Sequence, residues 1–414
     1  MSKKISLVVA LAGMCALSLF LLNCGSSSSR PSGLLYVLTQ GTSGVGNNIS
    51  SFAIDLGSGG LSLINSNAPT CKTTGACGLP LDIVLDPTGA TAFVLSQNAI
   101  SSYTVNSDGS FGSPSDPTML GSTAIAMTRD TSGNFLFVIT AAPELLVYKM
   151  TPGSTSLTLA NSVLLTKVPT GLSALTFPAP GSGTTPPCGF TTSEEFLYVT
   201  SNQDLTPEHN DNALSVYCVD SSGNLTDETP DPPYTPQVDP LSVKAVNTTL
   251  PTQMSAAVVF VYVGSQPSAS GALSVFQMCT AITATCTQSD VTNVVLRPVG
   301  TSPPSTGQNP VAMVVDPTNS FLYVVCYGSN QVFGYLINTT AGTLTALSPA
   351  NEPTGSQPVA LALHPSVGST GQFLYTSNSN SSNITGLTLN TTSGAMSSPV
   401  TVSAPAAPSG MTAR

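Results

Sequence analysis

Only two histidines occur in the 414 residues, and one of them, His209, stands among other groups able to do chemistry. It lies in Asn202-Gln203-Asp204-Leu205-Thr206-Pro207-Glu208-His209-Asn210-Asp211-Asn212, a polar stretch between two apolar runs. An imidazole titrates near neutrality, so His209 is the candidate general base, with Glu208 as its acidic companion. Asp204 and Asp211 would help to orient the ring, or would hold a hard cation such as Ca2+ through oxygen ligands, although the spacing is not that of an EF-hand. The plainer reading of the same residues is an exposed hydrophilic loop. Lys167 and Arg297 are the candidate substrate-binding pair, able to hold an anion if they face one opening; their plainer reading is two solvated surface charges. His364 precedes a proline at a turn and Arg129 lies in another turn, Arg129-Asp130-Thr131-Ser132-Gly133, so both are read as structural. There is no Ser-His-Asp ordering, no glycine-rich phosphate loop and no HExxH motif.

So sparse a set must be held by something large and regular, and the composition says what. Charged residues make up 7% of the chain against 41% hydrophobic, where an average domain carries roughly 25% charged. Disorder goes with high charge and few apolar residues, so this chain is able to bury a large core. Trp is absent, and 35 Gly and 33 Pro are spread along the length, the profile of many short strands joined by many turns. The net charge of −10 argues against nucleic acid and against an anionic membrane surface as partners.

The first residues form an export pattern. Lys3-Lys4 is followed by an uncharged apolar run from Ile5 to Leu22, then Asn23-Cys24-Gly25 and four serines. This end resembles a bacterial lipoprotein signal, which implies a signal over residues 1–24, lipidation of Cys24 and a flexible tether over 25–33. Asn23 departs from the small residue usual before such a cysteine; an uncleaved anchor and an ordinary secreted form are the alternatives. Gly25 is not the acidic residue that keeps lipoproteins at an inner membrane, so the outer membrane or a periplasm-facing position in a bacterial envelope is expected. The cysteines agree with export. Cys71 and Cys77 are close in sequence, as are Cys279 and Cys286, and Cys188 with Cys218 is the remaining couple; spacing leaves connectivity open. Cys326, inside a predicted strand, is expected to be a buried free thiol.

One strand recurs through the rest of the chain: Leu35-Tyr36-Val37, Ala92-Phe93-Val94, Leu136-Phe137-Val138, Leu197-Tyr198-Val199, Val261-Tyr262-Val263, Leu322-Tyr323-Val324 and Leu374-Tyr375-Thr376. Ahead of it come Leu79-Pro80-Leu81-Asp82-Ile83-Val84-Leu85-Asp86-Pro87, Asn309-Pro310-Val311-Ala312-Met313-Val314-Val315-Asp316-Pro317 and Gln357-Pro358-Val359-Ala360-Leu361-Ala362-Leu363-His364-Pro365. After it come an alternating strand, a glycine turn and a fourth strand. Four short antiparallel strands per repeat predict an all-β, seven-bladed propeller over residues 34–414. The first unit lacks its Pro-led strand, and Ala407–Ala413 at the far end looks like that missing strand. Its pairing into the first blade would close the ring.

Tyr198-Val199-Thr200-Ser201-Asn202 followed by Ala213-Leu214-Ser215-Val216-Tyr217 resembles the YVTN surface repeat, and Pro310–Leu344 is similar to the seven-bladed lactonase family, which includes 6-phosphogluconolactonases and carboxymuconate cycloisomerases. That resemblance covers nearly all of the chain beyond Leu34 but rests on strand and turn residues. It implies a substrate site at one mouth of the central channel, with His, Arg and acidic residues brought there; His209 with Glu208, and Lys167 with Arg297, which both fall in predicted connections between blades, are what this sequence offers.

Two readings follow. The first is a monomeric, lipid-anchored binding or scaffold propeller for a small molecule, glycan or envelope protein, needing no cofactor. The second is a lactonase-like hydrolase acting on an extracytoplasmic lactone. Fold alone does not choose between them.

Overall fold

The second strand of each repeat is apolar or small along its whole length because it is covered on both faces. Thr91–Ser96, Phe135–Thr140, Val259–Ser265, Phe321–Cys326 and Gln372–Asn378 are buried at every position, and Leu34–Gln40 at all but the last. A sheet packed between two others has no polar face to offer. The computed structural model that shows this describes residues 33–41, 46–177, 194–204, 212–230, 233–248, 258–280, 286–287, 289–290, 295–300, 302–364, 371–404 and 407–414.

These residues form seven antiparallel sheets, numbered here as blades 1 to 7. Six have four strands; blade 5 has a fifth, because its outer strand is broken into Leu296–Pro298 and Ser305–Thr306, both paired with Gly271–Met278. The apolar core is a ring of seven clusters, one between each adjacent pair of blades, and not a single central body. The channel on the axis is what that arrangement leaves over.

The chain's two ends share blade 1. Ala407–Ala413 pairs antiparallel with Leu34–Gln40, and Leu34 and Arg414 exchange backbone hydrogen bonds of 3.0 and 2.9 Å. The ring is therefore closed by the C-terminal strand, as the sequence predicts, and the inner edge of the first hairpin is covered.

An aromatic clasp joins successive blades. Tyr262, Tyr323 and Tyr375 are fully buried, and their hydroxyls donate to Gly342, Gly394 and Gly59, each in the third-to-fourth-strand turn of the next blade, at 3.2, 2.8 and 2.9 Å. These glycines have φ near +70°, and a Cβ on any of them would lie 2.3 Å from Phe260, Phe321 or Phe373 respectively. The Phe-x-Tyr spacing thus puts both rings on one face of the second strand, gripping the neighbour's turn.

At the face opposite the mouth, Asp86, Asp130 and Asp316 each follow an inner strand, and each accepts the N–H of the residue five positions on, at 2.7–2.9 Å. His364 occupies the matching position in blade 7, where it is buried. Cys71–Cys77 and Cys279–Cys286 are disulfides, and Cys218 is also disulfide-bonded; Cys188 lies outside the described residues. Cys326 is a buried free thiol, touching the Thr306 hydroxyl at 3.2 Å, and burial pushes its pKa up to about 11.

Candidate functional site

The inner strands line the channel: Ala407–Ala413, Pro80–Leu85, Ala124–Arg129, Lys167–Phe177, Pro240–Asn247, Pro310–Val315 and Pro358–His364 in blades 1 to 7. Each carries a register shift near its start, as between Pro80 and Asp82, Pro310 and Ala312, or Pro358 and Ala360. Proline has no N–H to leave unpaired on a channel-facing edge, and a bulge there re-aims the next side chain. In order round the ring the residue after the bulge is Gly410, Asp82, Ala126, Gly171, Ser242, Ala312 and Ala360. Six are small, which opens a cavity of about 330 Å3 on the axis. The seventh is a carboxylate.

Asp82 is the candidate site residue that the sequence reading passed over. It is half-buried, but what exposes it is the cavity, so protein surrounds it on all sides. One carboxylate oxygen accepts the Ile83 N–H at 2.8 Å. Burial raises its pKa from 3.8 to about 7, with the Ile83 bond opposing the rise. Gly410 of blade 1 crosses so close that a Cβ would lie 2.6 Å from the Leu81 carbonyl and 2.7 Å from Asp82 Cα, so only glycine fits beside it. The signal was present: Asp82 is the charged residue standing where the parallel Pro-led strands have Ala312 and Ala360.

A raised carboxylate pKa disfavours folding once the unfolded chain ionises. The destabilisation is absent below about pH 4, grows as pH rises towards 7 and is complete above it. Asp82→Asn is therefore expected to raise the denaturation midpoint at pH 8 and leave it unchanged at pH 4; equal midpoints at pH 8 would show that Asp82 is not desolvated.

The mouth above this cavity is built from amides and hydroxyls fixed on backbone. Asp239, Asn309 and Gln357, the residues just before the inner prolines of blades 5 to 7, have φ of 58°, 53° and 55°. Each backbone N–H donates to an amide oxygen of the preceding blade's second-to-third-strand loop: Asn212 at 2.9 Å, Gln266 at 2.6 Å and Asn330 at 2.7 Å. Between blades, the Thr170 and Ser242 hydroxyls donate to the carbonyls of Pro240 and Pro310, both at 2.7 Å. The rim is thus a polar, pre-set ring.

Of the residues singled out from sequence, His209, Glu208 and Asp211 lie outside the described residues. Asp204, described in its backbone only, ends the second strand of blade 4 and pairs across from Lys167, so Lys167 stands at the mouth, at the base of the His209 segment. Arg297 is not there. It lies on the broken outer strand of blade 5, opposite Gln277 near the end of the third strand, and ion-pairs with Asp290 at 2.8 Å. Third strands end at the face away from the mouth, so the expected pairing of Lys167 with Arg297 does not form: the segment read as a connection between blades continues blade 5. Among the described residues no cluster of three or more His, Cys, Asp or Glu is placed to hold a metal ion.

The comparisons agree with this architecture. The model of the 7-bladed β-propeller lactonases matches residues 192–414, more than half of the chain. A candidate 6-phosphogluconolactonase from Bacteroides fragilis superposes with a TM-score of 0.62 at 12% identity, over 94% of this chain and 100% of its own. The periplasmic gluconolactonase of Pseudomonas aeruginosa gives 0.61 at 16%, over 92% and 98%. A protein from Lactobacillus plantarum gives 0.60 at 14%, over 92% and 99%. No curated protein matches the chain. At these identities the superpositions speak for the fold, and the family match carries the assignment: the chain belongs to the seven-bladed β-propeller lactonase family.

Proposed function

We propose that the protein is an exported, lipid-tethered propeller that binds a small polyhydroxylated molecule, free or as the end of an envelope glycan, at the channel mouth. The observation that carries this is the rim itself. Amides and hydroxyls already held by backbone partners, above a cavity of about 330 Å3, offer hydrogen bonds to hydroxyl groups without first being ordered. Two disulfides between residues close in sequence support an oxidising compartment, and the apolar run ending at Cys24 supports export and a lipid anchor. Among the described residues no helix is long and apolar enough to cross a membrane.

Ligand-observed NMR with monosaccharides and envelope glycan fragments tests the reading. Saturable transfer is expected in the native protein, and Asp82→Leu, which replaces the cavity's carboxylate with a bulkier apolar side chain, is expected to weaken it; transfer undiminished in Asp82→Leu would put the ligand elsewhere. For the anchor, Cys24→Ser is expected to move the protein out of the membrane fraction, and unchanged fractionation would exclude a lipid on that cysteine.

One observation favours a second reading, lactone hydrolysis. Burial pushes the Asp82 pKa up to about 7 beside a cavity of about 330 Å3, as a general base requires. With family membership, and with the Pseudomonas protein being a periplasmic gluconolactonase, this makes sugar lactones the first substrates to try.

A further inference from the structure

Among the described residues that border the axial cavity of about 330 Å3, Asp82 alone has an ionisable side chain. The register shift between Pro80 and Asp82 and the close crossing of Gly410 fix the backbone that carries it. Its Oδ1 accepts the Ile83 N–H at 2.8 Å, and no described residue donates to Oδ2. It takes part in no described ion pair, and no cationic side chain offsets the burial that raises its pKa. The inner strand of blade 3, packed beside it, carries Arg129, whose charge acts on Asp130, Asp86 and Glu195 instead. Lys167, Lys244 and His364, on the inner strands of blades 4, 5 and 7, do not border the cavity.

The other polar side chains of the lining, Thr170 and Ser242, add acceptors and no donors. Their hydroxyl protons go to the carbonyls of Pro240 and Pro310, both at 2.7 Å, so what these oxygens can offer a ligand is lone pairs. An anion would meet like charge from Asp82. A neutral hydroxyl group brings a proton but no counter-charge for an enclosed carboxylate. A primary ammonium brings both, with three N–H donors for charge-assisted bonds to Oδ2 and to the hydroxyl oxygens. A quaternary ammonium has no N–H and is held by aromatic faces, and no described residue of the lining is aromatic. A bound Ca2+ takes about six to eight oxygen ligands, and here one carboxylate stands alone.

We infer that Asp82 makes the cavity an ammonium site, so that the polyhydroxylated ligand proposed for the mouth carries a protonated primary amine, as an amino sugar with a free amino group does. This rests on the binding reading of the mouth and names the ligand class within it. Ligand pockets start at roughly 300 Å3, so the cavity suits one sugar-sized unit.

Ligand-observed NMR titrations of the full chain at pH 8, above the Asp82 pKa of about 7, test it with three probes of one skeleton: 1-amino-1-deoxyglucitol, glucitol and gluconate. The native protein is expected to bind the amine at least about tenfold more tightly than the neutral polyol, and gluconate most weakly. Asp82→Asn is expected to bring the amine and the polyol to similar affinities; it removes a desolvated charge, so the loss is not one of folding. Asp82→Glu keeps the carboxylate and should keep the preference. A chain of net charge −10 attracts amines to its surface as well, and that part survives Asp82→Asn. Tighter binding of the β-1,4-linked glucosamine dimer than of glucosamine points to the end of a glycan, and the reverse to a free amino sugar. Saturable glucitol binding with no preference for the amine, or a preference undiminished in Asp82→Asn, overturns the inference and leaves the binding reading standing. Absence of binding by all three probes overturns both.

Discussion

Removing Ala407–Arg414 is expected to abolish cooperative folding. The strand lost supplies the inner edge of blade 1, from Leu35 opposite Ala413 to Gln40 opposite Ala407. Met411 leaves the core between blades 7 and 1, and Gly410 leaves its contact with Asp82 in blade 2. Ser409 takes away two inter-blade bonds, one accepted from Ser377 at 2.6 Å and one donated to the Pro80 carbonyl at 2.9 Å. Arg414 takes away a third, to the Gly89 carbonyl at 2.6 Å. Two of the seven interfaces are weakened at once, and the apolar strand Leu34–Gln40 becomes an exposed edge. A domain's net stability is only about 5–15 kcal/mol, so the truncated chain should aggregate or melt without a sharp transition. Circular dichroism melts with size-exclusion chromatography check this; a cooperative transition within a few degrees of the full chain would mean the ring does not depend on its closing strand.

Tyr323→Ala is expected to cost about 3–5 kcal/mol, the range for deleting a fully buried aromatic. Tyr323→Phe keeps the ring and loses the bond to the Gly394 carbonyl, leaving that acceptor buried, at a cost of about 1–3 kcal/mol. The ratio matters more than either value. If the clasp is mainly packing, Phe recovers most of the loss; if the hydroxyl dominates, it recovers little. Urea or guanidinium melts of both variants decide, and a loss under about 1 kcal/mol for Tyr323→Ala would contradict the strand register.

These effects were legible because they repeat. The aromatic strand, the Pro-led strand and the Asp turn each recur, and recurrence at a fixed order gives blade number, strand order and the closing role of Ala407–Ala413. What does not repeat was harder to place. Arg297 sits where blade 5 breaks its outer strand into two pieces, and the irregular stretch that results reads in sequence like a connection between blades, so counting strands put it there. Asp82 was hidden by its own repeat: in a Pro-led strand treated as structural, one carboxylate among alanines looked like variation. Arg129 was assigned to a turn, and its hydrogen bonds to the Asp130 and Thr131 carbonyls agree with that.

Under the proposed reading the mouth holds its ligand without opening it. The most direct measurement follows a panel of sugar δ-lactones, with and without phosphate, by NMR against spontaneous opening, in the presence of the native protein and with or without Ca2+. Saturable ligand signals and opening at the spontaneous rate are expected. Accelerated opening would contradict it. Loss of that acceleration in Asp82→Asn would place the base in the channel, and loss in His209→Ala would place it in the loop that begins beside Lys167.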